Sequence, residues 1–220
     1  MGRHHWLLLP LLLTLTAGLA YAVLSLPEHA EGLQRIVGNK MEKSGVSNPV
    51  TAVLLNFRGY DTLLEMVVLL LALLGVWSLG GNCLLRETAP GSVLDTLVRF
   101  LVPMLVLVAA YLLWVGAHAP GGAFQAGSLL GAAGVLLLLT GRRLRPSLTA
   151  LPLRLTLIAG CGAFIIIAAL TLLVEGQLLA YPPAQAGILI LFLETVAMLS
   201  IGATLAALFL GERPQDKERK

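Results

Sequence analysis

Residues 187–210 read GILILFLETVAMLSIGATLAALFL, an apolar run of 24 residues in which Glu194 is the one charged side chain. The hydrocarbon core of a bilayer is about 30 Å thick, so a helix needs roughly 20 mostly apolar residues to cross it. Within lipid the backbone polar groups must be paired inside the segment, and a helix achieves this alone. The run therefore predicts a transmembrane helix that carries a carboxyl group about two turns inside one end.

Five further apolar runs lie along the chain and account for its composition. Hydrophobic residues make up 57% of the 220 residues and charged residues 12%, which is more apolar surface than one soluble core could bury. We therefore predict an all-α integral membrane protein with about six transmembrane helices. The other five predicted spans are residues 6–26, 62–79, 97–115, 124–140 and 153–174.

The first of these runs has two interpretations. A basic start, an apolar stretch and the small-residue triplet Ala20-Tyr21-Ala22 are typical of a cleavable signal peptide. A retained membrane anchor fits the same residues, and we favour the anchor.

The distribution of basic residues predicts the orientation. Eleven of the 15 Lys and Arg residues fall in segments that are cytoplasmic if both termini are cytoplasmic, which is the arrangement that the positive-inside rule favours. The other four lie in one long outer loop, residues 27–61. A loop of that length usually has structure of its own, and we expect an interfacial or re-entrant element packed against partner helices.

Two stretches carry a resemblance to known membrane subunits. Residues 48–75 read NPVTAVLLNFRGYDTLLEMVVLLLALLG and resemble a segment near the C-terminus of the large A subunit of Mrp-type multisubunit sodium/proton antiporters, which in membrane-bound hydrogenases is a separate small subunit. Asn56 departs from the Asp that this segment usually has there. The residues that match are Asn48, Thr51, Phe57, Arg58, Gly59, Asp61, Thr62 and Glu65.

The rest of the chain, from Leu97 onward, resembles the B subunit of the same antiporters, the MnhB or MrpB family. The most specific piece is APGGAFQAG at residues 119–127, in which Ala123 and Ala126 replace two glycines of the family signature. The segment LFLETVAMLSIGATLAALF around Glu194 resembles the last helix of that family.

The two resemblances imply a domain organisation and a function. They divide the chain into a two-helix segment (1–80), a cytoplasmic linker (81–96), a four-helix MnhB-like domain (97–210) and a charged cytoplasmic tail (211–220). They imply a multi-pass subunit of a sodium/proton antiporter in a bacterial or archaeal cell membrane. Its expected partners are larger antiporter-like membrane subunits, the lipid bilayer, sodium ions and protons. The alternative is a scaffold-only subunit of a hydrogenase-like or complex-I-related assembly.

Four titratable residues are candidates for an ion path. An ionised carboxylate is costly in lipid, so Glu194 should face a polar partner, a hydrated cavity or a neighbouring subunit, which suits a role in transport. The alternative is a purely structural hydrogen bond between helices. Asp61 and Glu65 lie four residues apart and share a helix face near an outer mouth, although Thr62 and Glu65 also fit a capping box at a helix start. His118 is a candidate because histidine is the side-chain type that can exchange a proton near neutral pH; the alternative is that it is simply an interfacial residue.

Two sets of small residues mark structural features of the second domain. One set predicts a tight outer turn, with ion coordination by its carbonyls as the lesser alternative; its members are Pro120, Gly121 and Gly122. The other recurs at helical spacing and leaves one smooth face, which favours close contact with another helix of this chain or of a partner. Its members are Gly127, Gly131 and Gly134.

Several classes of function are disfavoured. The sequence has no Gly-rich phosphate loop and no C-x-x-C pair, and no histidine lies deep in a predicted span where it could bind haem. Cys83 and Cys161 lack metal-ligand spacing. We expect no cofactor, no metal site, no nucleic-acid partner and no chemical catalysis by this chain. A stand-alone carrier with inverted repeats is also disfavoured, because no pair of broken helices is present.

Overall fold

The fold is that of a computed structural model, which describes residues 5–26, 33–79, 91–140 and 151–211. Every regular element in these ranges is helical, so the all-α prediction is confirmed for them. Cys83, the basic cluster at residues 142–145 and the tail from residue 212 lie outside the described ranges.

The chain divides into two units, Met1–Ile36 and Val37–Lys220. The first unit contains helix α1, which spans His5–Leu24 and includes Pro10. A proline removes one helical hydrogen bond, and here it lies in the second turn, where that loss affects only the helix start. The helix α2, Gln34–Lys40, crosses the division between the units.

The second unit is a bundle of five long helices with a short helical segment, residues 41–57, at one end. A 3-10 turn at Met41–Lys43 is followed by α3, Pro49–Ala52, which continues as a π-helical turn over Val53–Phe57. The long helices are α4 (Gly59–Ser78), α5 (Ser92–Val115), α6 (Ala123–Leu139), α7 (Leu151–Glu175) and α8 (Ala186–Leu210).

Four of these helices have the length and apolar composition needed to cross a membrane. They are α4, α5, α7 and α8, whereas α6 and the Leu9–Leu24 part of α1 are apolar but shorter. The six predicted spans thus correspond to six apolar helices, of which four meet the length requirement in the described residues. Helix α5 begins at Ser92, so the last part of the predicted linker is helical.

Helix α8 is the centre of the bundle, because α4, α5, α6 and α7 all pack against it. Its closest neighbour is α6, and glycines on both helices make the approach possible. A Cβ on Gly127 would lie 2.8 Å from the Cβ of Ile201, and a Cβ on Gly202 would lie 2.8 Å from the Cβ of Leu130. Without a hydrophobic driving force in lipid, such close packing is a main source of helix association.

The start of α4 corrects one expectation. The helix begins at Gly59, three residues before Thr62, and its N-cap residue Arg58 makes no side-chain capping bond. Thr62 instead donates its hydroxyl proton to the carbonyl oxygen of Leu54, 2.6 Å away. The capping-box interpretation of Thr62 and Glu65 is therefore wrong, since the preceding π-helical turn supplies the acceptor that holds this threonine.

Candidate functional site

Glu194 lies on the face of α8 that meets the beginning of α6, and only 3% of the residue is exposed. Its Oε1 atom is 2.6 Å from the position that a Cβ on Gly122 would occupy. The backbone N–H of Ala123, the first residue of α6, interacts with the carboxylate. Its Oε2 atom has no hydrogen-bond partner among the described residues. One oxygen is therefore held by backbone, and the other is buried and open to a further partner.

The helix α6 explains why a carboxylate is tolerated there. The first N–H groups of a helix lack intrahelical acceptors and carry partial positive charge. Gly122 is the N-cap of α6 and provides no side-chain acceptor. The Glu194 carboxylate, from the neighbouring helix α8, accepts from the N–H of Ala123 at this helix start instead. Neither of the ion pairs found within the described ranges involves Glu194. The arrangement suits a group that binds and releases a proton or bonds to water.

The segment 116–122, which we call the outer turn, places Gly122 at this point. Gly122 has a φ of 106°, a conformation that side chains rarely allow. Its N–H donates to the carbonyl oxygen of Leu112 over 2.9 Å, and a Cβ on Gly116 would lie 2.7 Å from the Gly122 Cα. The outer turn is therefore folded tightly against the end of α5.

The outer turn is also bonded to a residue that the sequence marks only as a family match. Asn48 donates from Nδ2 to the carbonyl oxygens of Gly116 (3.1 Å) and Ala119 (2.8 Å). Thr51 donates to the same Gly116 oxygen over 2.5 Å. The sequence Asn48-Pro49 indicates a helix start, but only the tertiary structure reveals the carbonyl groups that the amide bonds.

Asp61 and Glu65 line a different feature, an open groove of about 660 Å³ between α4, α6 and α8. Ser128 is its third polar residue, and apolar side chains such as Phe124 and Ile201 form the rest. Asp61 is paired with Arg58 at the helix start, while Glu65 is exposed. The lining of the groove does not include Glu194, so the structure separates the candidate carboxylates into two places.

The remaining predicted residues, His118 and Pro120, lie in the segment that joins α5 to α6. His118 is exposed, and its Nδ1 atom is 3.0 Å from the Ser47 hydroxyl. Pro120 is exposed on the outer turn. No group of three His, Cys, Asp or Glu residues that could hold a metal ion occurs in the ranges that the structure describes.

The glycine face of α6 is occupied by a helix of the same chain. A Cβ on Gly131 would lie 2.8 Å from the Cβ of Leu205, and one on Gly134 would lie 2.9 Å from the Cβ of Ala206. Both neighbours belong to α8. Of the two partners that the sequence allowed, the structure thus provides the one within this chain.

Comparisons with known proteins give two family matches and two similar structures. Residues 93–210 match the family described as a domain related to the MnhB subunit of the Na+/H+ antiporter. Residues 3–92 match the family named MbhE, which is described as one of the subunits of MBH. No curated protein matches the sequence.

One similar structure is a chain of the membrane-bound sulfane sulfur reductase, an archaeal respiratory membrane complex. It is 22% identical with a TM-score of 0.71, and the match covers 96% of this chain and 98% of that one. The other is a chain of the Mrp complex from Dietzia sp. DQ12-45-1b, 24% identical with a TM-score of 0.66. That match covers 100% of this chain and 27% of the other.

Proposed function

We propose that the chain, which belongs to the family of domains related to the MnhB subunit of Na+/H+ antiporters, takes part in exchanging sodium ions for protons. The N-terminal part matches the MbhE family. The chain is a membrane subunit of an antiporter-type complex, and its partners are other membrane subunits. We infer that it forms part of the ion path and also contributes to assembly with the larger subunits.

The observation that carries the proposal is the unpartnered carboxylate oxygen of Glu194. A buried carboxyl group without a second partner is expensive unless it binds a proton, water or an ion. The start of α6 supports the ionised form, and uptake of a proton removes the cost of burying the charge. Both protonation states are therefore accessible to Glu194, as proton exchange requires. Asp61 and Glu65 in the open groove, and His118 at the outer end, are proposed as the more accessible groups of the path.

The membrane topology is part of the same proposal. We assign six spans by adding α1 and α6 to the four long helices. The 17 residues of α6 lie at the lower limit for crossing a bilayer. Both termini are assigned to the cytoplasmic side of the cell membrane. We keep the division into a two-helix segment (1–80), a cytoplasmic linker (81–96), a four-helix MnhB-like domain (97–210) and a charged tail (211–220). In its support, the boundary between the two family matches, at residues 92 and 93, falls within that linker.

The test measures transport by the complete complex in membrane vesicles. Sodium-dependent proton flux is followed with a pH-sensitive dye for the unaltered complex and for Glu194→Gln. We expect at least a tenfold lower rate, because glutamine keeps the shape but cannot exchange a proton. Glu175→Gln is the matched control, since Glu175 is exposed at the end of α7 and its substitution should leave the rate unchanged. An assembled Glu194→Gln complex with an unaltered rate disproves the proposed role.

A second candidate function is that of a scaffold-only subunit in a hydrogenase-like or related complex. The observation in its favour is the match along nearly the whole chain to a chain of an archaeal respiratory membrane complex. In that case Glu194→Gln is silent. Proteins that co-purify in mild detergent then distinguish the two complexes, because antiporter-like subunits alone favour exchange and iron-sulfur partners favour the alternative.

A further inference from the structure

Seven hydrogen bonds join the N-terminal family segment (residues 3–92) to the outer turn, and two of them link the exposed Ser47 hydroxyl with the Ala117 carbonyl oxygen and with His118 Nδ1. Besides the three side-chain bonds of Asn48 and Thr51, the backbone N–H groups of Ser47 and Asn48 both donate to the Ala117 carbonyl oxygen over 3.0 Å. Asn48 is 5% exposed and Thr51 is 4% exposed. Buried hydrogen bonds of this kind are costly to lose, because the abandoned carbonyl groups then have no partner.

The orientation of the Asn48 side chain is fixed by its own helix. Its Oδ1 atom accepts a bond from the Val50 N–H over 3.1 Å, as the N-cap of α3. The oxygen is therefore committed to the cap, and Nδ2 donates toward the carbonyl oxygens of Gly116 and Ala119 and toward the Thr51 hydroxyl, 3.1 Å away. An amide side chain is the group that supplies one acceptor and two donors from a single branch.

The side-chain hydrogen bonds of Asn48 and Thr51 to the outer turn, which we call the clamp, are connected to Glu194 through the backbone of that turn. Gly116, which accepts bonds from Asn48 and Thr51, packs directly on Gly122. A Cβ on Gly122 would in turn lie 2.6 Å from Glu194 Oε1, so the carboxylate fills the space beside this glycine, and the next residue, Ala123, interacts with the same carboxylate. Glycine backbone has no side chain that could absorb a shift, so a displacement of Gly116 is passed to the start of α6.

We propose that Asn48 is a positioning residue for Glu194, which it orients by holding the outer turn so that the start of α6 faces the carboxylate. The positioning of Glu194 by Asn48 does not depend on what Glu194 does. Only the expected effect of Asn48 on transport rests on the proposed function. It gives a reason for joining the two family segments in one chain, because residues 3–92 carry the clamp and residues 93–210 carry the group that it positions.

The first experiment records the infrared bands of the Glu194 carboxyl group in the purified complete complex. The bands are assigned by their loss in Glu194→Gln. Asn48→Ala and Asn48→Ser are then compared, since serine keeps an acceptor for the Val50 N–H and removes the two amide donors. We expect both variants to shift the Glu194 bands. The matched control is Asn39→Ser, because it makes the same substitution at an exposed residue of α2; it should leave the bands in place. Unshifted bands in both Asn48 variants overturn the proposal.

The second experiment asks whether the effect on transport passes through Glu194. In vesicles containing the complete complex, Asn48→Ser should lower sodium-dependent proton flux at least threefold when Glu194 is present. It should change the residual flux less than 1.5-fold when Glu194→Gln is present as well. Equal loss in both backgrounds shows a structural role and contradicts the inference. This outcome differs from failure of the proposed function, in which Glu194→Gln alone has no effect.

Discussion

Gly122 and Glu194 occupy complementary space where α6 meets α8: a Cβ on Gly122 would lie 2.6 Å from Glu194 Oε1. Glycine is therefore required at this position for two reasons. The backbone has a positive φ of 106°, and a side chain would occupy the space of the Glu194 carboxylate. The outer turn and the buried glutamate, which are 72 residues apart in the sequence, form one structural feature.

Gly122→Ala should displace the Glu194 carboxylate and strain the turn. A non-glycine residue in such a backbone conformation costs about 1–3 kcal/mol, so we expect a lower melting temperature together with at least a tenfold lower proton flux. Thermal unfolding in detergent and flux in vesicles measure the two effects. Gly162→Ala is the control, because a Cβ there meets nothing within 4 Å. Native flux in the Gly122→Ala complex would show that the contact is unimportant.

The long helices and the buried carboxylate are predictable from the sequence, because both depend on local composition. An uninterrupted apolar run reveals its own length, and Glu194 is conspicuous as the one charge in such a run. The predicted helix starts fall too late where charges occur near the ends. Arg58 pairs with Asp61 before the apolar part of α4, and Arg99 pairs with Asp95 over 2.8 Å in α5. Pairs three or four residues apart are compatible with a helix, although they interrupt the hydropathy signal.

The surroundings of Glu194 could not be predicted, because they come from three separate parts of the chain. The start of α6, the end of α5 and the segment before α3 meet only after folding. Asn48 stands out in the sequence as a family match, yet its spacing from Gly116 carries no local pattern. Backbone carbonyl groups leave no signature in the sequence, so a side chain that bonds them is found from the structure alone.

Gly131→Leu should separate α6 from α8. Its Cβ would lie 2.8 Å from the Cβ of Leu205, and only 3.5 Å from the Gly202 carbonyl oxygen, so the larger side chain cannot be accommodated without moving a helix. Overpacking of this kind typically costs about 1–3 kcal/mol, and close packing is what holds membrane helices together. We expect a lower melting temperature of the purified protein. Gly75→Leu should have little effect, because a Cβ at Gly75 meets nothing within 4 Å; equal loss in both variants would contradict the assigned contact.

Tyr181→Phe should stabilise the protein, most clearly in alkaline solution. Tyr181 lies between α7 and α8, is 6% exposed, and has no hydrogen-bond partner for its hydroxyl among the described residues. Removing an unpaired buried hydroxyl should gain up to about 1–3 kcal/mol. Burial raises the pKa of the Tyr181 phenol above its ordinary value.

The pH dependence follows from that shift. Below about pH 10 the phenol is protonated in both the folded and the unfolded chain, so pH has no effect through this residue. Above about pH 10 only the unfolded chain releases the proton, and the folded state loses stability as the pH rises. Unfolding in detergent at pH 8 and pH 11 measures the effect. The advantage of Tyr181→Phe over the unaltered protein should be larger at pH 11 than at pH 8. An equal advantage at both pH values would mean that the Tyr181 hydroxyl reaches water in the folded protein.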